Sequence, residues 1–187
     1  MSGLLTIGLV GMPASGKTEA SRVLVGFGFE VFLLSSIVHK ELESRKLDAS
    51  HTNYEKVARE LRERFGDDII ARRAVERLRD CRPTRLCIDG IRNLSEVSLL
   101  QQEFPPFVLL AIHSSPRARF FRTVHFSKKS ITQKEEFDWR DIQNLKLGIG
   151  DVIALADFMV VHDHHSLDEF KRDISRTLNE ILRFISG

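Results

Sequence analysis

Gly11-Met12-Pro13-Ala14-Ser15-Gly16-Lys17-Thr18 fits the spacing G-x-x-x-x-G-K-[ST] at every fixed position. Before it runs Leu4 to Val10 (LLTIGLV), short, apolar and rich in β-formers. After it, Ala20, Val23, Leu24 and Phe27 recur at i, i+3, i+4 and i+7, the period of a helix buried on one face. Strand, glycine-rich turn and helix together form the context that separates a phosphate-binding loop from a chance match. Gly11 and Gly16 permit backbone angles that a side chain would forbid. The turn then points its N–H groups at phosphate oxygens, and the following helix aims its positive end at the same spot. Lys17 is expected to bridge the β- and γ-phosphates of a nucleoside triphosphate, and the Thr18 hydroxyl to hold Mg²⁺. The eight residues Gly11, Met12, Pro13, Ala14, Ser15, Gly16, Lys17 and Thr18 are thus the expected nucleotide-binding set.

The chain alternates strands and helices outward from this turn. Phe29 to Leu34 reads as a second strand, and Ser35 or Ser36 is placed to cap a helix over about 37–46. Val57, Leu61 and Phe65 align on a helix over 54–65. Ile70, Ala74 and Leu78 do so on another to about 79, with Asp67 as its cap. Arg85 to Asp89 (RLCID) is a third strand, and Gly90-Ile91-Arg92-Asn93 a tight exit. Ser95 is the expected cap of a short helix to Gln102. Phe107 to His113 (FVLLAIH) reads as a fourth strand covered on both faces. Pro116 opens a further helix at an allowed first-turn position. Residues 125–147 are polar and helix-prone, and Gly148-Ile149-Gly150 breaks the chain. A short helix over 151–156, a fifth strand over 158–161 and a last helix over 166–184 complete it. This pattern predicts an α/β three-layer P-loop fold: a five-stranded parallel sheet with helices on both faces. Right-handed crossovers then bring the phosphate-binding turn to the carboxyl ends of the strands.

Bulk properties narrow the class. With 187 residues, one domain with a full core is expected. Charged residues make up 29% but the net charge is only +2 and the signs are interspersed. Nucleic acid is therefore disfavoured as a partner. No apolar run approaches the length of a membrane span. The leading apolar run lacks a basic flank and reads as a core strand, not a signal peptide, so a cytoplasmic location is expected. Cys81 and Cys87 suit a reducing compartment and make no metal motif. His162-Asp163-His164-His165 looks like a metal tract, but no paired ligands stand elsewhere at matching spacing. It is read as a polar loop beside the nucleotide base. The chain is expected to be a monomer or a homodimer.

A P-loop implies a nucleoside triphosphate, not a reaction. No Asn-Lys-x-Asp guanine-reading sequence occurs, and Asp89 is followed by glycine where an ATPase would place its water-activating glutamate. Asp89-Gly90-Ile91-Arg92 resembles, one residue shorter, the Asp-Gly-x-x-Arg loop of nucleoside monophosphate kinases. Asp89 is then placed to order Mg²⁺ and its waters, and Arg92 to grip an acceptor phosphate bidentately. Arg59 and Arg62 share one helix face and Arg119 and Arg122 another. The segment over 125–147, with Lys128, Lys129 and Arg140, is the candidate lid. Of these cations Arg122 and Arg140 are the choices for stabilising the transferring phosphoryl group.

Beyond single motifs, GLVGMPASGKTEA (8–20), ARELRERFGDDIIARR (58–73), IDGIRNLSEV (88–97), AIHSSPRARFFR (111–122) and GIGDVIALADFMVV (148–161) resemble a family of uncharacterised, largely archaeal P-loop proteins related to adenylate kinase and dephospho-CoA kinase. The resemblance spans nearly the whole chain. It implies a nucleoside-monophosphate-kinase-like fold with an acceptor-binding helical insert (about 36–80) and a lid (about 123–147). It also implies ATP binding and phosphoryl transfer to a nucleotide or related phosphorylated small molecule. Two departures stand out. Ser35-Ser36 replaces the Gly-Asp that similar proteins carry after the second strand, which removes the candidate base for a hydroxyl acceptor and favours a phosphate acceptor. His125-Phe126-Ser127-Lys128-Lys129 replaces an arginine- and glycine-rich stretch, leaving Arg140 as the lid arginine. The competing reading is an ATP-binding regulator or a slow ATPase with no small-molecule acceptor.

Overall fold

The computed structural model describes residues 5–79, 83–126, 133–163 and 166–186. Cys81, Lys128, Lys129, His164 and His165 lie outside the described residues. Five strands, β1 (Leu5–Val10), β2 (Glu30–Leu33), β3 (Arg85–Asp89), β4 (Phe107–His113) and β5 (Phe158–Val161), form one sheet in the order β2-β3-β1-β4-β5. Every pairing is parallel. β1 and β4 are apolar nearly throughout because both their faces are covered. Along β4 the faces alternate. Val108, Leu110 and Ile112 pack with the side chains of α1 (Lys17–Gly26) and α9 (Leu167–Ser186). Leu109 and Ala111 pack on the other side. That second layer is α2 (Ser35–Ser44), α3 (His51–Phe65), α4 (Ile69–Leu78), α5 (Leu94–Glu103) and α8 (Ile149–Ala154). Two more helices, α6 (Pro116–Phe126) and α7 (Lys134–Lys146), follow β4 and carry the carboxyl-end rim.

The expected strands are all present, but several helix starts move because other groups cap them. α2 begins at Ser35, with Leu34 as its cap and no side-chain hydrogen bond there, so neither Ser35 nor Ser36 caps it. α3 starts three residues before Tyr54. Ser50 Oγ accepts from Asn53 N, an in-line cap that the polar loop reading overlooked. α4 follows Asp68, whose side chain pairs with Arg72 and not with a backbone amide. α5 is capped by Asn93, not Ser95: Asn93 Oδ1 accepts from Glu96 N at 2.9 Å. Gly148 alone breaks the chain, at φ +96°, and Gly150 lies inside α8. Ser166 starts α9 reciprocally, its Oγ accepting from Glu169 N while Glu169 Oε2 accepts from Ser166 N. No described helix is long and apolar enough to cross a membrane.

The turn after β1 leaves no room for a methyl group. A Cβ on Gly11 would stand 2.4 Å from the Ile112 carbonyl oxygen of β4 and 2.6 Å from Ser15 Oγ. The backbone obstacle cannot rotate away. Gly11→Ala is therefore expected to lower unfolding stability by about 1–3 kcal/mol, as for an overpacked core site, measured by urea denaturation. A variant as stable as wild type would mean that the loop relaxes freely.

Candidate functional site

The strand-to-helix turn forms a nest of amides held open by its own carbonyls. Each carbonyl from Gly11 to Ser15 meets a cation or a ring nitrogen. Lys17 Nζ donates to Gly11 O at 2.7 Å and to Met12 O at 3.2 Å. Arg119 Nη1 donates to Pro13 O at 3.3 Å, and Arg122 Nε to Ala14 O at 3.0 Å. Ser15 O lies 3.3 Å from His162 Nδ1. With the carbonyls engaged on one side, the amides face the other. No hydrogen bond among the described residues takes the N–H of Gly16, Lys17 or Thr18. Gly16, at φ +114°, is the left-handed residue that turns the chain into α1. Free amides at a helix N-terminus, with an ammonium beside them, are an anion site.

Lys17 sits in a tense electrostatic position. Its pKa falls from 10.5 to about 8, first through burial, then through the charge of Arg92, with Asp89 opposing. Asp89 ends β3 with its carboxyl pushed upward by burial, against the pull of Lys17. Ser21 Oγ of α1 donates to Asp89 Oδ2 at 3.2 Å, while Asp89 Oδ1 is buried with no partner. An anion binding here relieves the repulsion between Lys17 and Arg92.

A cavity of about 350 Å³ opens from Lys17 and Asp89 and runs under α7 towards α3. Arg59, Arg62, Arg92 and Arg140 line it, with Tyr54 and Trp139 as its aromatic walls. Arg92 Nη1 donates to Asn144 Oδ1 of α7. Arg140 Nη2 lies 2.8 Å from His51 Nε2 of α3. The described part of the expected lid is thus a helix laid over the cavity, tied to the exit loop through Asn144 and to α3 through Arg140. A third tie is Arg119, which pairs with Asp141 of α7 through its two terminal guanidinium nitrogens, Nη1 at 2.8 Å.

Of the expected site residues, the fold brings Lys17, Asp89, Arg92 and Arg140 to one cavity. Thr18 stands exposed at the second position of α1. Arg122 goes elsewhere. Its guanidinium donates to Ala14 O, to His162 O at 2.9 Å and to Ser114 Oγ, behind the turn and outside the cavity lining. It shapes the amide nest instead of facing the cavity. His162, expected in a polar loop beside the nucleotide base, is packed inside the fold. It is buried and stacked on Phe170 at 3.8 Å, wedged beneath Gly16. Residues that the sequence reading missed are Glu96, which is fully buried, and Ser21, Asp141 and Asn144. The only sequence signal for Glu96 is its place three residues after Asn93, a capping spacing that the choice of Ser95 as the cap passes over.

The donor set fits a magnesium–nucleotide complex. No group of three or more His, Cys, Asp or Glu is poised for a metal among the described residues. What exists is one hydroxyl and one carboxylate next to an anion nest. That matches Mg²⁺, which keeps several waters and shares substrate phosphates in place of an all-protein cage.

The comparisons with known proteins agree with this architecture. No protein-family model matches the chain. A gluconokinase from Sinorhizobium meliloti superimposes with a TM-score of 0.59 at 15% identity, over 100% of this chain and 98% of its own. A shikimate kinase from Bacteroides thetaiotaomicron does so with a TM-score of 0.59 at 15% identity, over 96% and 98%. At such identities the likeness is one of fold, the P-loop small-molecule kinase fold. A UPF0200 protein of Hyperthermus butylicus is 35% identical over 178 residues, 95% of this chain and 95% of its own length. With sequence likeness at that level over both full lengths, the chain belongs to the UPF0200 family.

Proposed function

We propose that the protein is a kinase that transfers the γ-phosphoryl group of ATP, with Mg²⁺, to a phosphorylated small molecule of the nucleotide class. The observation that carries this reading is one cavity lined both by Pro13 and Lys17 of the phosphate-binding turn and by Arg62, Arg92 and Arg140. Such an arrangement holds two anions at once, and kinases of phosphorylated acceptors work by holding them in line. In this reading the turn amides and Lys17 bind the donor phosphates. Thr18 and Asp89 are the residues that would hold Mg²⁺, which when bound neutralises charge on the transferred group. Arg92 orients the acceptor. Arg140, delivered by α7, adds positive charge where the transferred group carries its negative charge, and α7 keeps water out. The protein makes no covalent intermediate.

The absence of a carboxylate at Ser35 and Ser36 supports a phosphate oxygen as the accepting atom, since it needs no base to take a proton. The test is ADP release from Mg–ATP with and without AMP, CMP, UMP, GMP, their deoxy forms and dephospho-CoA. Stimulation by one acceptor of about 10²-fold or more, the scale expected of positioning, is the expected result. Tight ATP binding with no stimulation by any of them would count against the kinase and for a nucleotide-reading regulator.

A further inference from the structure

Arg62 lines the cavity, and its partner Glu96, which has no role above, is buried behind it. The Arg62 side chain is 9% exposed and that of Glu96 0%. Glu96 Oε1 accepts from Arg62 Nη2 at 3.1 Å, and Glu96 Oε2 accepts from the backbone N–H of Arg92 at 2.7 Å. One carboxylate therefore sets the side chain of one cavity arginine and the backbone of the other. Glu96 is itself fixed, its N–H capped by Asn93, whose Nδ2 donates to Asp67 O at 3.1 Å. This support spends both carboxylate oxygens and leaves donors over. Arg62 Nε is buried with no hydrogen-bond partner. Arg92 forms no ion pair among the described residues, and its guanidinium meets only the neutral amide oxygen of Asn144. Buried guanidinium donors without partners are uncommon in a settled interior. Arg62 has such a donor, and the half-buried fork of Arg92 lines the same cavity.

We propose that Arg62 and Arg92 form a second anion subsite, distinct from the amide nest, which takes the phosphomonoester group of the acceptor, with Glu96 as its positioning residue. The inference rests on the kinase reading for the word acceptor, but the subsite itself does not. Two guanidinium forks match the several oxygens and the double charge of a phosphate better than the two oxygens and single charge of a carboxylate. The cavity as a whole agrees. Lys17, Arg59, Arg62, Arg92 and Arg140 line it against Asp89 and Glu55. Asn144 holds the place of the ligand on Arg92, and the phosphate displaces its amide oxygen. The aromatic walls, Tyr54 and Trp139, flank the space left for the rest of the molecule.

Inorganic phosphate is the probe, followed by isothermal titration on the full chain. Wild-type protein saturated with Mg–AMP-PNP, which occupies the nest, is expected to bind one phosphate. Arg62→Gln is expected to weaken that binding about tenfold or more while AMP-PNP still binds. Glu96→Gln is expected to weaken it by a similar factor with nucleotide affinity retained. A merely structural role for Glu96 would move both affinities together or neither. A parallel titration uses ligand-free Lys17→Ala protein, and so does not depend on nucleotide binding. One phosphate is expected there, lost in Lys17→Ala/Arg62→Gln. If AMP-PNP fails to bind but this second titration succeeds, the kinase reading falls and the subsite stands. No phosphate bound in either titration, or binding indifferent to Arg62, would overturn the subsite. Acetate binding as tightly as phosphate would overturn its assignment to a phosphomonoester.

Discussion

Lys17→Met is expected to bind no ATP and yet to melt higher than the wild-type protein at pH 7. Holding Lys17 charged where its pKa is pushed from 10.5 to about 8 costs about 3 kcal/mol. The substitution removes that cost and replaces the side chain with an apolar one of similar length. It also removes the two hydrogen bonds to Gly11 O and Met12 O, so the net gain is smaller, about 1–2 kcal/mol. For a chain of this size that raises the Tm by about 3–6 °C. The sign follows from proton linkage. Between pH 8 and 10.5 the unfolded wild-type chain holds the lysine proton more firmly than the folded one. Wild-type stability therefore climbs with pH across that window, and below it the full penalty remains. The variant lacks that climb. Thermal melts of both proteins from pH 7 to 10.5, with ATP titrations at pH 7, check this. A lower Tm for Lys17→Met at pH 7, or the same pH slope in both proteins, would sink the idea that the lysine is held under strain for its ligand. Turnover should fall by at least about 10²–10³-fold, as when one donor to a developing charge is lost.

Asp141→Ala is expected to be the most damaging substitution in α7, although Asp141 does not line the cavity. Its partner Arg119 is 2% exposed, reaches Ser114 O at 3.0 Å and Pro13 O, and lies over the Phe137 ring at 5.1 Å. Removing the carboxylate leaves a buried guanidinium without its counter-charge, a loss of about 3–5 kcal/mol. That is a large part of the 5–15 kcal/mol typical of a whole domain. The double variant Arg119→Met/Asp141→Leu removes both charges and fills the space, and is expected to recover most of the loss. The two variants separate stability from function. Both cut the link between α7 and the turn carbonyl of Pro13, so both should raise the KM for ATP even where stability returns. Urea denaturation of wild type, the single and the double variant reads the first effect. A single variant within 1 kcal/mol of wild type, or a double variant no better than the single, would show that the pair is not the anchor described.

The two arginine pairs show how far a sequence reading carries. Arg59 and Arg62 stand three apart on one helix, and Arg119 and Arg122 three apart on another, so local spacing treats the four alike. In the fold they have four different surroundings. Arg59 is exposed at the cavity mouth, Arg62 is buried on Glu96, Arg119 is buried on Asp141, and Arg122 grips carbonyls behind the turn. Of the two arginines expected to stabilise the transferring group, Arg122 lies outside the cavity lining and Arg140, carried by α7, lies on it. Capping errors have a similar source. Ser35, Ser36 and Ser95 are good capping residue types, but a neighbouring residue whose backbone direction was set by the sheet began the helix first.

The sequence by itself determined the parts whose geometry is local. These are the octet from Gly11 to Thr18, the strand before it and the helix after it, and the apolar runs that dictate a doubly covered parallel sheet. The acid at the end of β3 and Arg92 three residues on belong with them. Each rests on contacts within a few residues or on a period of two or 3.6, which a linear chain displays directly. The tertiary structure alone decided which cations face the cavity, because their partners lie 22 and 34 residues away for Arg119 and Arg62. A buried charge is placed by its counter-charge, and that partner is chosen by the packing of whole elements, not by the residues beside it in the chain.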